Sequence, residues 1–287
     1  MQRRATYIGF IAVLLWALLA LLTVGSAPTP PLLLNAICFA IGGAIGLVWT
    51  ARRGGFAKLR KVSWRVYAFG TIGLFGYHAL YFSALRHAPP AQAGLIAYLW
   101  PLLIVLFSGL LPGETLRAGH FIGAVLGFSG AVLIIGADFA SFDPQNLLGY
   151  ALALCCALFW SGYSVISRRL GDAPTETVAV FCIATAILSA LLHMATETTQ
   201  WPQTALAWAS TIALGAGPVG LAFYVWDIGV KQGDIQLLGV ASYAAPLLST
   251  LILVATGIAA PSVGLAIATI LITGGAVIAA RASMLRK

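Results

Sequence analysis

The chain has 287 residues, of which 60% are hydrophobic and 8% charged, with a mean hydropathy of +0.96. A soluble domain carries about 25% charged residues, so this composition excludes a water-soluble globule, a disordered chain and a small secreted disulfide scaffold. The net charge of +8 sits in short clusters between apolar runs, the distribution of topology signals rather than of a nucleic-acid surface.

A membrane-crossing helix needs about 20 apolar residues. In chain order that ruler predicts an all-α, polytopic membrane protein with ten spanning segments: 5–24, 32–50, 65–86, 90–111, 118–136, 147–167, 177–195, 206–230, 234–256 and 262–281. The first follows Arg3 and Arg4 but is longer than the apolar core of a signal peptide, so it reads as a spanning helix. The breaks carry turn chemistry at Pro28, Pro30-Pro31, Pro89-Pro90, Pro112-Gly113, Asp143-Pro144, Pro174, Pro202 and Pro261. With the N-terminus in the cytoplasm, 15 of the 16 Lys and Arg residues fall on the cytoplasmic side and only Arg86 on the other. The positive-inside rule therefore predicts both termini in the cytoplasm. Cys38, Cys155, Cys156 and Cys182 lie inside apolar runs without metal-ligand spacing; they read as packing residues, and neither metal nor cofactor is predicted.

Shifting the sequence by 145 superposes segments 3–5 on segments 8–10 without a gap. Gly94 meets Gly239, Tyr98 meets Tyr243, Pro101-Leu102-Leu103 meets Pro246-Leu247-Leu248, and Arg86 meets Lys231. A shift of 144 lays Trp16 on Trp160. Matched Gly, Tyr and Pro in one register predict a duplication, with residues 1–140 and 141–287 as its halves. Five segments per half is an odd number, so the copies must be inverted in the membrane, an arrangement that places a binding site near the midplane between the halves.

These features resemble the drug/metabolite transporter superfamily, of the EamA-like kind. The resemblance is carried by the motifs AYLWPLL (97–103) and SYAAPLL (242–248) and by the segment endings GAVLGFSGAVLIIGA (123–137) and LAIATILITGGAVIAA (265–280). Within the superfamily the aromatic mid-span residues look most like the bacterial aromatic amino-acid exporters of the YddG type. The resemblance implies an inner-membrane protein moving Phe, Tyr, Trp and related amino acids outward. Its partners would be a small amphipathic substrate and the lipid bilayer, with no nucleic acid.

Trp16, Trp100, Trp160 and Trp226 lie deep in their segments, as do Tyr81, Tyr98, Tyr163, Tyr224 and Tyr243. A buried indole N–H or phenol O–H needs a partner that lipid tails do not supply, so these residues are expected to face a central cavity, with bundle packing as the ordinary reading of any one of them. His78, Tyr81, Phe82 and Leu85 share one helical face, and their repeat mates are Phe223, Trp226, Asp227 and Val230. Ionisable groups at depth are costly and point to function. Only His78 and Asp227 qualify, the first competing with a locally satisfied neutral ring and the second with an i,i+4 pair to Lys231. Pro101 and Pro246, with Gly94 and Gly239 on the same faces, are candidate hinges, because a mid-helix proline removes a hydrogen bond. Gly42/Gly46, Gly109/Gly113 and Gly119/Gly123/Gly127 read as stripes for close helix packing.

No Lys or Arg lies clearly mid-span, which argues against an anionic sugar-phosphate cargo, and the first segment has no acid of the kind the small multidrug exporters carry. A hydrophobic amine is the alternative cargo. An intramembrane enzyme would need a nucleophile–base pair or metal motif, and a channel a filter or charge ring; the sequence displays neither, and without a P-loop it does not itself use ATP.

Overall fold

The computed structural model describes residues 2–135, 143–170, 173–257 and 260–284. Among the described residues the fold is entirely helical. In chain order the helices are α1 (Gln2–Trp16), α2 (Leu19–Gly25), α3 (Pro31–Arg52), α4 (Phe56–Leu59), α5 (Trp64–His87), α6 (Pro90–Ala97), α7 (Trp100–Ser108), α8 (Ala118–Ile135), α9 (Leu147–Arg169), α10 (Thr177–Thr196), α11 (Ala205–Ala216), α12 (Ala222–Gln232), α13 (Ile235–Ala241), α14 (Ala244–Ala255) and α15 (Val263–Met284). A wide π turn, Gly217–Leu221, joins α11 to α12.

Among the described residues, seven stretches are long and apolar enough to cross a membrane: Gln2–Gly25, Pro31–Arg52, Pro144–Arg169, Thr177–Thr196, Ala205–Gln232, Ile235–Ala255 and Val263–Met284. α5, the α6–α7 pair and α8 occupy the remaining three segments expected from hydropathy. The expected boundary between halves, at residues 140 and 141, lies outside the described residues, as do Arg286 and Lys287.

Local chemistry sets the ends. Pro31 opens α3, where a missing N–H costs nothing. Ser63, Thr204 and Asp234 cap α5, α11 and α13 by accepting backbone N–H bonds from Arg65, Ala207 and Leu237. Pro101 has no N–H for the Ala97 carbonyl, and α6 stops there; the chain passes through Tyr98 and Leu99 before α7 resumes. The same break recurs ahead of Pro246, between α13 and α14.

The main packing pairs are α8 with α15, α3 with α10, α5 with α9, α1 with α12, and α7 with both α9 and α13. Small residues let these helices approach. A Cβ at Gly42 would press on the Gly220 backbone, and one at Gly123 on the Gly275 carbonyl and Ala279. Gly119 faces Ala282, while Gly127 faces the Tyr243 ring. The Gly109/Gly113 pair departs from the packing expectation. Gly113 lies past the end of α7 with φ of 75° and nothing near its missing side chain, so it shapes a turn that other residues adopt only with strain.

Candidate functional site

The centre of the bundle is a cluster of four indoles: Trp16 ending α1, Trp100 starting α7, Trp160 in α9 and Trp226 in α12. All six pairs of rings lie with centroids 5.1 to 6.3 Å apart, mostly edge to face, the arrangement that aromatic quadrupoles favour. Two indole N–H groups are committed. Trp16 donates to the Pro218 carbonyl in the π turn (3.1 Å) and Trp226 to Ser164 Oγ (3.1 Å). Those of Trp100 and Trp160 have no partner among the described residues.

Above this cluster α5 contributes Tyr77, His78, Tyr81 and Phe82. The rings of Tyr77 and Tyr81 are parallel, 6.2 Å apart, one helical turn separating them, and Tyr77 also meets Trp160 at 5.5 Å. The His78 ring packs edge-on to Phe39 and Phe223. Its Nδ1 lies 2.8 Å from the Leu74 carbonyl, which only accepts, so Nδ1 carries the proton and Nε2 is left as an acceptor. Tyr98, at the α6–α7 break, meets Trp100 at 6.4 Å.

Tyr77, His78, Tyr81 and Tyr98 share a decisive property. Each keeps accessible surface while sitting deep in the protein, ringed by its atoms. That combination is expected of side chains that line a central hollow. The three phenol hydroxyls and His78 Nε2 have no intramolecular partner among the described residues. Gly94, one turn from Tyr98, leaves open space where a side chain would be. The hollow therefore has aromatic walls and a few uncommitted donors and acceptors, the composition of a small-molecule site.

Of the residues expected from sequence, the structure brings Trp16, His78, Tyr81, Tyr98, Trp100, Trp160 and Trp226 together. Tyr163 lies behind them, stacked on Trp160 and on Phe69. Three others stand apart with their polar atoms engaged. The Tyr224 hydroxyl donates to the Gly42 carbonyl (2.9 Å). Tyr243 Oη accepts the Leu102 N–H (3.1 Å), and its ring belongs to a second cluster with Leu247, Leu265 and Ile272. Asp227 pairs with Lys231 (2.9 Å) and accepts from Thr175 Oγ1 (2.8 Å), the i,i+4 arrangement that competed with a substrate role. Gly239 packs against Ile104, Val105 and the Pro101 carbonyl. Tyr77 and Phe39 were not singled out from sequence. Tyr77 had a usable signal, one turn before Tyr81 on the same helix; Phe39 lies in a uniformly apolar run that offers none.

Two polar networks close the ends. On one side Glu197, whose side chain is 4% exposed, accepts from Leu32 N, Leu33 N, Arg86 Nη2 (3.1 Å) and His193 Nδ1 (2.9 Å). On the other, Arg168 pairs with Glu114 and donates to the carbonyls of Val230 and Gly233 at the end of α12. Among the described residues no three His, Cys, Asp or Glu side chains are grouped to hold a metal.

The EamA-like transporter family matches residues 4–136 and again residues 147–281. The chain belongs to that family. It is a multi-pass membrane transporter. This EamA-like transporter is 56% identical over 277 residues to the aromatic amino acid exporter YddG of Ancylobacter novellus, covering 96% of each chain. It is 24% identical to the protein of the same name from Salmonella typhimurium, covering 87% of each. A solved crystal structure 54% identical in sequence superposes with a TM-score of 0.93 over 97% of this chain and 98% of that one.

Proposed function

We propose that this transporter exports aromatic and other amphipathic amino acids, or metabolites like them, across a bacterial inner membrane through the ring-lined hollow. The observation that carries the reading is the pairing of aromatic walls with uncommitted polar atoms at membrane depth. The side chain of the cargo stacks among Tyr77, Tyr81, Trp100 and Trp160. Phenol hydroxyls and indole N–H groups donate to its carboxylate. His78 Nε2 and the ring faces receive its ammonium group. The two relatives named as aromatic amino acid exporters support the same cargo. Asp227 has no part in this scheme, because its charge is already balanced by Lys231.

The transport cycle rests on ten crossings in two inverted five-helix repeats, residues 1–140 and 141–287, with both termini in the cytoplasm. The two successive family matches support the duplication. So does the packing: exchanging halves maps the α5–α9 contact onto the α12–α1 contact and leaves the α3–α10 and α8–α15 contacts in place. Repeat mates touch at the centre, as at Trp16 and Trp160 (6.0 Å) and at His78 and Phe223 (6.2 Å). Rocking of one half on the other, hinged at the breaks ahead of Pro101 and Pro246, would open the hollow to each side in turn.

The test is uptake into proteoliposomes of tryptophan, phenylalanine, threonine, a UDP-sugar and a quaternary amine. Aromatic amino acids are expected to move fastest, and Trp100→Ala and Tyr81→Ala to abolish most of that flux while remaining folded. Unchanged flux in both variants, or preference for the amine, overturns the proposal.

A further inference from the structure

The end of the bundle that carries most of the basic residues holds a cavity of about 460 Å³ between the start of α5 and the end of α9. Lys58, Lys61 and Arg169 line it together with Ser63, and its walls include Val62, Val66, Leu170 and Pro174. There is no carboxylate among the described lining residues. Neither lysine ammonium has an ion-pair or hydrogen-bond partner among the described residues. Arg169 donates to the Leu110 carbonyl (3.0 Å) and has no ion-pair partner among the described residues. A neighbouring cavity of about 670 Å³ also contains Arg169, but its other cations are neutralised, Arg168 by Glu114 and Lys231 by Asp227.

The level of the first cavity is fixed independently. Trp64, 73% exposed, starts α5 beside it. Trp49, with the Arg53 guanidinium 5.0 Å over its ring, ends α3 on the same side. Phe56 is exposed on the short helix α4 that leads to Lys58. Tryptophans concentrate where hydrocarbon meets headgroups, so the cavity lies at headgroup depth. We infer that this cavity is a binding site for the headgroup of an anionic phospholipid. The phosphate sits between Lys58, Lys61 and Arg169, and the upper acyl chain lies along Val62, Val66 and Leu170. The inference concerns a site outside the aromatic hollow and does not depend on the cargo.

The experiment measures binding of short-chain phosphatidylglycerol, phosphatidylcholine of the same chain length, and inorganic phosphate to the purified full-length protein by native mass spectrometry. Phosphatidylglycerol is expected to bind and phosphatidylcholine not to. The double variant Lys58→Gln/Lys61→Gln should weaken phosphatidylglycerol binding about 30-fold, while Lys58→Arg/Lys61→Arg keeps it. The control Arg3→Gln/Arg4→Gln removes the same charge from exposed positions outside the cavity and should leave binding intact. Equal weakening by the control would mean diffuse surface attraction, and inorganic phosphate binding as tightly as the lipid would mean a free-anion site. Either result, or no effect of the lysine variant, overturns the inference.

Discussion

Tyr243 reaches across the bundle so that its hydroxyl accepts the backbone N–H of Leu102 at 3.1 Å. That N–H lies in the first turn of α7, just after the break, where no carbonyl one turn earlier is positioned for it. Tyr98, the mate of Tyr243 at a spacing of 145, instead leaves its hydroxyl uncommitted in the hollow. Two tyrosines equivalent in sequence thus have different jobs. Tyr243→Phe strands a buried donor and should cost about 1–3 kcal/mol of stability, read as a lower unfolding temperature in detergent. Tyr98→Phe removes a hydroxyl that binds nothing within the protein. It should leave unfolding unchanged and raise the KM for aromatic amino acids about tenfold, the worth of one hydrogen bond to a charged group. The opposite pattern would reverse the assignment of the two residues.

The Asp227–Lys231 pair is almost sealed, with side chains 2% and 5% exposed. Asp227→Asn leaves an ammonium without its counter-charge and should destabilise the protein by about 3–5 kcal/mol. Asp227→Asn combined with Lys231→Met should recover most of that loss and restore transport, because neither charge serves the cargo. Thermal unfolding and uptake of the single and double variants check this; a stable but inactive double variant would place Asp227 in the transport machinery.

Glu197 ties together three helices, receiving the opening N–H groups of α3, the Arg86 side chain at the end of α5 and His193 of α10. Removing it in Glu197→Ala abandons those donors at once. A loss of about 3 kcal/mol is expected, visible as lower thermal stability, and faster backbone hydrogen exchange should appear at Leu32 and Leu33.

Gly123 faces a backbone atom, the Gly275 carbonyl, which would lie 2.5 Å from an added Cβ. A carbonyl cannot rotate aside as a side-chain tip can. Gly123→Leu should therefore pry α8 from α15 and cost about 1–3 kcal/mol. Gly94→Ala meets open space and should be neutral in stability. Parallel melting curves of the two variants make the comparison.

Hydropathy was enough to find the seven long apolar stretches, because the length needed to cross lipid is a one-dimensional quantity, but it passed over the short helix α4. It also found Trp16, Trp100, Trp160 and Trp226, because depth along a helix can be counted in residues. What it did not provide was direction around the helix axis. Tyr224 and Tyr243 are as deep as Tyr98, yet their hydroxyls turn toward Gly42 and Leu102 instead of the hollow. Tyr77 turns inward beside Tyr81, and only the partner helix, through Trp160, shows it. The π turn around Pro218 was likewise invisible in an apolar segment read as one continuous span. Its effect on the site is concrete, since its carbonyl takes the Trp16 N–H. Glu197 and His193 lie near a segment end, where an ionisable group carries no depth signal, and the network they form joins groups more than 160 positions apart in sequence.

The mutual contact of the four central indoles has an optical consequence. Rings whose centres are no more than 6.3 Å apart exchange excitation energy, so ultraviolet light absorbed by one is emitted by the set as a whole. Four of the eight tryptophans therefore behave as a single fluorophore at the heart of the molecule. An aromatic ligand entering beside Trp100 or Trp160 would dim or shift all four together, which gives an internal optical gauge of occupancy without any attached dye.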